Sequence, residues 1–148
     1  MKIKVMGTGE TTSEQALESM GDTALGIITA WNYDYNQDSK ANQDFVKGYN
    51  EEFKRNPDFT SVGGYDGMRL IYEALKKTGG NGDGEALIAA VKGLAWESPR
   101  GPMAIDPETR DIVQTIYIRR VEKVGDGLRN VVFDKMEGVK DPVLARMR

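Results

Sequence analysis

The sequence predicts an α/β fold on three observations. Between Ile3 and Trp31 a strand, a loop, a short helix and a second strand follow one another, which is the βαβ pattern of a parallel pair. Three helices then come in succession between Ser39 and Leu94. Finally, Ile112 to Val121, IVQTIYIRRV, is a β-branched run with turn residues beyond it and a segment able to pair back.

Each element has a local cause. Ile3 to Met6 reads as a short buried strand ending at Gly7, and the loop Gly7-Thr8-Gly9-Glu10-Thr11 follows. Thr12-Ser13-Glu14-Gln15 reads as a capping box with Thr12 as the cap. In the helix it opens, Ala16, Leu17 and Met20 face inward and Gly21 is the stop. Ala24 to Trp31, ALGIITAW, is apolar on both faces and so reads as a central strand. Asn32 to Asp38 is a polar and aromatic connection, after which Ser39 caps a helix running to about Arg55. Phe45, Val46, Tyr49 and Phe53 form its apolar face, and Asn56-Pro57 ends it.

The stretch from Thr60 to Gly80 is the helix around which the rest is arranged. Tyr65, Met68, Tyr72 and Leu75 recur at helical spacing, with Leu70, Ile71 and Ala74 widening the stripe. A helix apolar around most of its circumference expects cover on most sides. Thr60 or Ser61 is its expected cap, Gly79-Gly80 its stop, and Arg69, Glu73 and Lys77 an ion-pair ladder on the remaining face. Gly63 and Gly64 are expected to leave a bare helix start, where free N–H groups suit a small anion or polar ligand group. The spacing itself favours the plainer reading, a core helix with a flexible entry. Asp83 caps a third helix carrying Leu87, Ile88, Val91 and Leu94. Beyond Trp96, Pro99 and Pro102 exclude helix, Gly101 to Ile105 reads as a strand, and Asp106-Pro107-Glu108-Thr109 as a turn. Gly125-Asp126-Gly127 turns the long strand, and Leu128 to Phe133 pairs back as a hairpin. From Asp134 onward the chain reads as a weakly ordered tail with one helical turn near Val143 to Met147.

The order of these segments carries a resemblance. KVMGTGETTSEQALESMGDTALGIITAWNY, then SVGGYDGMRLIYEALKKTGG, then GEALIAAVKGLAWESPRGPMAIDPETRDIVQTIYIRRVE, resemble the C-terminal part of the type I periplasmic substrate-binding proteins of ABC transporters, the branched-chain amino-acid-binding kind. The match covers nearly the whole chain in order. Such proteins are considerably longer and have two lobes, so the resemblance implies a partial type I fold. It places residues 1–31 and 101–134 in one lobe, the helices of 39–94 in the other, and leaves 135–148 as the tail. It implies a solute-binding component of an importer for amino acids or related small carboxylates, with the ligand in an interlobe cleft and a membrane permease as partner. It implies a periplasmic location, although Met1-Lys2-Ile3 leads straight into a strand rather than an export signal. The strands that the helices would cover lie upstream in the family. An uncovered central helix leads to an expectation that the three helices repack on themselves or that the chain forms a homodimer.

The resemblance also nominates contacts. In open parallel sheets ligands sit outside the carboxyl ends of strands, where the loop with Thr8, Gly9 and Glu10 lies. In the family this loop supplies an acid for the ligand's ammonium group. Counting back from Gly21-Asp22 puts Gly9 at that position, with Glu10 one residue later. Either Glu10 reaches the cleft or the ammonium contact is absent, which leaves room for a carboxylate ligand lacking an amine. Glu10 as a solvated residue near a helix start is the plain alternative. Trp31, Tyr33 and Tyr35 cluster where the family's chain crosses between lobes, fit either to stack on a ligand or to pack a hinge. Ser61, Gly63 and Tyr65 resemble a cleft-facing segment of the other lobe.

Other chemistry is poorly supported. The 148 residues carry a net charge of −3 without blocks of like charge, which gives no support for nucleic-acid binding. The chain holds no Cys and no His, removing thiol chemistry, histidine acid–base catalysis and the usual zinc sites. Gly7-Thr8-Gly9 lacks the third glycine of a dinucleotide loop, and Glu10 would repel a phosphate. Asp34, Asn36 and Asp38 mimic the start of a calcium loop, but Ser39 occupies its glycine position and Phe45 its closing glutamate, so no metal or cofactor is assigned. No nucleophile is paired with a base, and the chain is not read as an enzyme. An interaction or oligomerisation module without a small ligand is the second reading.

Overall fold

The computed structural model describes residues 4–143. Strand β1 (Met6–Thr8) pairs in parallel with β2 (Ile28–Trp31), and α1 (Glu14–Met20) connects them between two short 3-10 turns, Gly9–Thr12 and Gly21–Ala24. Three helices follow, α2 (Lys40–Phe53), α3 (Phe59–Lys77) and α4 (Gly84–Val91). Strands β3 (Ala95–Ser98), β4 (Gly101–Ile105), β5 (Ile112–Val124) and β6 (Gly127–Val139) complete the chain. The fold is mixed α/β, with a six-stranded sheet ordered β1-β2-β5-β4-β3 and β6 added along β5.

β5 holds the sheet together. Near its start Ile112 and Val113 pair with Ile105 and Ala104 of β4. Further on, Tyr117 to Arg120 pair with Trp31 to Ile28 of β2, while β6 runs alongside from Gln114 to Val124. Thr115, Tyr117, Arg119 and Val121 are its buried residues, as period-two alternation requires for side chains on one face. Leu17 of α1, Ala24, Ile27 and Val121 form the apolar core, with Met20 and Leu128 packed against them.

Several local expectations are met. Ser39 accepts from the Asn42 N–H at 3.1 Å and Asp83 from the Ala86 N–H at 3.0 Å, so both cap as expected. Gly101–Ile105 is a strand, and β2 is interior to the sheet but only half as long as the expected Ala24 to Trp31, because Ala24 closes a 3-10 turn and Leu25-Gly26 turn the chain before Ile28. Other expectations need correction. The cap of α1 is Ser13, because the Thr12 side chain is drawn inward to β2 and β6. Of the expected strand Ile3 to Met6, Ile3 lies outside the described residues and Lys4 and Val5 are not strand; Met6 opens β1 and is 75% exposed, because β1 is an edge strand paired on one side only. Strand β3 was not expected; it is short and half polar, and the turn at Pro99-Arg100 returns it onto β4. The expected tail is strand as far as Val139, because β6 continues along β5 through Met136 and Val139. The helical turn expected near Val143 to Met147 lies almost wholly outside the described residues.

The central helix departs furthest. Its cap is Asp58, which accepts from the Ser61 N–H at 2.8 Å, with the Ser61 side chain returning to the Asp58 backbone in a capping box. Ser61, Gly63 and Gly64 are therefore inside the helix, and the bare start expected at the two glycines does not exist. The ladder is also rearranged: Glu73 pairs with Lys76, Arg69 donates to the Glu97 carbonyl, and Lys77 to that of Ala90. Val62, Asp66 and Ala74 are buried, but Tyr65, Met68, Ile71 and Tyr72 stay exposed. The three helices do not repack over this stripe.

Candidate functional site

The Gly9–Thr12 turn leaves the carboxyl end of β1, beside the carboxyl end of parallel β2. A cavity of about 40 Å³ forms there between this turn, the crossing segment after β2 and the start of α3. Gly9, Trp31, Tyr33, Asp58, Phe59 and Arg119 are among its lining residues. A groove of about 680 Å³ lies alongside, sharing Glu14, Tyr35, Pro57 and Asp58 with it.

The walls are aromatic. Trp31 meets Phe59 edge to face with ring centroids 5.3 Å apart. Tyr33 is 3% exposed; its hydroxyl donates to Asn42 at 3.1 Å and its ring stands edge-on to Phe45. Burial pushes the Tyr33 phenol far above its ordinary range, with the charge of Asp34 adding to the effect, so it stays neutral. Gly9 packs so tightly that a Cβ built on it would stand 2.1 Å from Trp31 Cγ.

The floor is polar and buried. Arg119 on β5 pairs with Asp34 at 3.5 Å, and both side chains are almost fully buried. Its guanidinium also donates to the Tyr33 carbonyl at 3.3 Å, to the Gly9 carbonyl at 3.4 Å and to the Thr29 hydroxyl at 3.3 Å. Thr12 donates to Asn130 Oδ1 at 2.7 Å, and Asn130 Nδ2 donates back to the Thr12 carbonyl at 2.6 Å. Burial raises the Asp34 pKa despite the Asn36 N–H and Arg119, and burial lowers that of Arg119 despite Asp34. Desolvation thus exceeds the attraction within the pair on both sides. Glu14, at the rim, is raised by burial too, against a hydrogen bond from Asn130.

The structure brings Gly9, Trp31 and Tyr33 together around the cavity. Thr8 ends β1 exposed, and Glu10, inside the turn, is exposed and outside the cavity lining. The Ser61 hydroxyl is held by Asp58 at 2.7 Å and stands 2.9 Å from that of Tyr49, so it serves the cap. Gly63 is exposed along α3, and Tyr65 lies against Phe45 with centroids 4.9 Å apart. Sequence reasoning missed Thr12, Asp58, Phe59, Arg119 and Asn130. For Arg119 a signal existed: alternation along IVQTIYIRRV puts it on the face of Tyr117 and Val121. Asp34, singled out for its likeness to a calcium ligand, instead accepts from the Asn36 N–H at 2.9 Å and pairs with Arg119.

Comparison with known proteins agrees with this architecture. The sequence profile of the family described as periplasmic binding protein matches residues 1–127. The Leu/Ile/Val-binding protein homolog 6 of Brucella abortus (strain 2308) is 44% identical over 131 residues, which is 84% of this chain and 33% of that protein. A solute-binding protein of an ABC transporter from Rhodopseudomonas palustris BisB5, solved with 3,4-dihydroxybenzoic acid, is 57% identical with a TM-score of 0.89. The match covers 96% of this chain and 39% of that one. A second, from Rhodopseudomonas palustris HaA2 with p-hydroxybenzoic acid, is 39% identical with a TM-score of 0.89, covering 97% of this chain and 40% of that one. This chain thus spans well under half the length of the relatives it matches. With most of its length matched by the profile and its topology shared with these neighbours, the chain belongs to the periplasmic binding protein family and carries part of its type I fold.

Proposed function

We propose that this chain supplies part of a two-lobed solute-binding protein of an ABC importer, and that its solute is an aromatic carboxylate without an amine. The carrying observation is the residue that stands at the turn in place of the family's acid. Gly9 stands where the family resemblance expects an acid for an ammonium group, and Glu10 is exposed to one side. Asp34 is committed to Arg119 and Asp58 to the cap of α3. The edge-to-face pair of Trp31 and Phe59 suits a flat ring better than a branched alkyl chain. The hydroxybenzoates bound by two similar proteins agree with this reading.

In this reading residues 1–31 and 101–134 belong to one lobe and the helices of 39–94 to the other. Hinge closure around the crossing segments traps the solute, and the closed form docks on a membrane permease outside the cytoplasm. Thr8, Gly9, Trp31 and Tyr33 face the solute from one side, and the first turns of α3, with Ser61, Gly63 and Tyr65, approach from the other. No helix among the described residues is long and apolar enough to cross a membrane.

The test is calorimetry on two proteins: this chain alone, and this chain joined to the amino-terminal remainder of the BisB5 relative. The joined protein is expected to bind 3,4-dihydroxybenzoate or 4-hydroxybenzoate with micromolar affinity and to ignore leucine. Leucine binding with silent hydroxybenzoates overturns the aromatic assignment in favour of an amino acid. Micromolar binding of either solute by the chain alone overturns the two-lobed reading.

A further inference from the structure

We propose that Arg119, held by Asp34, is a positioning residue that fixes the Gly9–Thr12 turn and the Tyr33–Asn36 crossing as one rigid unit, and so sets solute affinity from beneath the site. This rests on the solute-binding reading above. The geometry is directional. One guanidinium donates to the main-chain carbonyls of two separate segments, Gly9 in the turn and Tyr33 in the crossing. Asp34 holds that guanidinium and also accepts from the Asn36 N–H, so the crossing is gripped at both ends. Asn130 on β6 grips the far end of the turn through its reciprocal pair with Thr12. The Trp31 ring closes on Gly9 from the side.

Stability alone gives no reason for a buried ion pair in this place. Apolar side chains of similar volume commonly match or exceed a buried pair in net stabilisation. What apolar groups cannot do is bond two carbonyls at once in a fixed plane, which the planar fork of arginine can. Segments held in their bound shape before binding lose less freedom when solute arrives, and affinity rises accordingly. The turn and the crossing then move together when the hinge moves.

The test uses the double variant D34N/R119Q, which leaves no lone charge buried, together with R119K. In the 148-residue chain, amide hydrogen exchange is followed for Thr11 to Ser13 and for Tyr35 and Asn36. In the joined two-lobed protein, hydroxybenzoate affinity is measured. For the double variant, exchange at those amides is expected to rise about tenfold and affinity to fall about tenfold, with exchange along the β5–β6 hairpin unchanged. R119K keeps the charge but not the fork, and is expected to fall between wild type and the double variant in both readouts. Exchange at wild-type rates in the double variant overturns the clamp, and so does wild-type affinity in a joined protein whose turn has loosened. A joined wild-type protein that binds no solute at all refutes the solute reading instead, and the exchange rates then decide the clamp by themselves.

Discussion

At the scale of single residues the site is set by contacts with no tolerance. Gly9 is the clearest, because any side chain there would enter the Trp31 indole. Its backbone angle is not the obstacle; the ring is. Gly9→Ala is expected to cost about 1–3 kcal/mol, the range for overpacking a buried site, and Gly9→Ala with Trp31→Leu to recover part of it. Paired thermal melts of the single and double variants check this. An unaffected Gly9→Ala would mean that the turn is free to shift away. Elsewhere the polar residues work in fixed pairs. On the far side of α3, Asp66 accepts from Ser98 and from Arg100 Nε, each at 2.8 Å, and Arg100 reaches on to Gln114 at 3.2 Å. Asn32 donates to the same Gln114 oxygen at 3.3 Å, so this network also ends on the crossing after β2. The Tyr117 hydroxyl lies 2.8 Å from the Arg100 carbonyl, and burial pushes its pKa up to about 12, so it stays protonated.

At the scale of elements, the start of α3 joins the fold to the site. Its first turn places Phe59 against Trp31, and the Asp58 cap fixes where that turn begins. Burial alone would raise the Asp58 pKa. The Ser61 N–H and hydroxyl, helped by Arg55, outweigh burial and hold it below the ordinary range. A lowered carboxylate stabilises the fold above its unfolded value, and that contribution is lost as pH falls through the folded one. Asp58→Ala is expected to cost about 1 kcal/mol at neutral pH, and Asp58→Asn almost nothing, because asparagine caps as well as aspartate. The gap between Asp58→Ala and wild type should narrow in acid, whereas the gap between Asp58→Ala and Asp58→Asn should not. Urea midpoints at two pH values separate these outcomes. The same element shows what the sequence reveals and conceals. Caps such as Ser39 and Asp83 act within three residues, so a linear reading finds them. Thr12 looks like a cap in the linear sequence because its partner, Asn130, lies 118 residues away. The role of Arg119 is hidden for the same reason: its partners Gly9, Thr29 and Tyr33 are distant in sequence and are brought to it by the fold. Strand β6 outran its expected end because its exposed, charged outer half has no apolar pattern and takes its order from β5.

At the scale of the whole molecule, the apolar stripe of α3 is the main liability. Tyr65, Met68, Ile71 and Tyr72 are between 46% and 56% exposed, on a helix whose spacing expects cover. Contiguous exposed apolar surface drives association. Light scattering on the isolated chain is expected to show a mass that rises above the monomer with concentration, and Met68→Glu with Ile71→Lys to suppress the rise. A monodisperse monomer across the range would refute the expectation. Against this liability stands the geometry of β5. Its 13 residues carry β4 near one end, β2 further along, and β6 down the opposite flank. That strand works as a splint. Ile105 and Ile28, on two strands that do not pair with each other, are thereby joined through one continuous piece of backbone from Ile112 to Arg120, although its pairing with β6 shifts register at Gln114/Ile116 and at Ile118/Arg119.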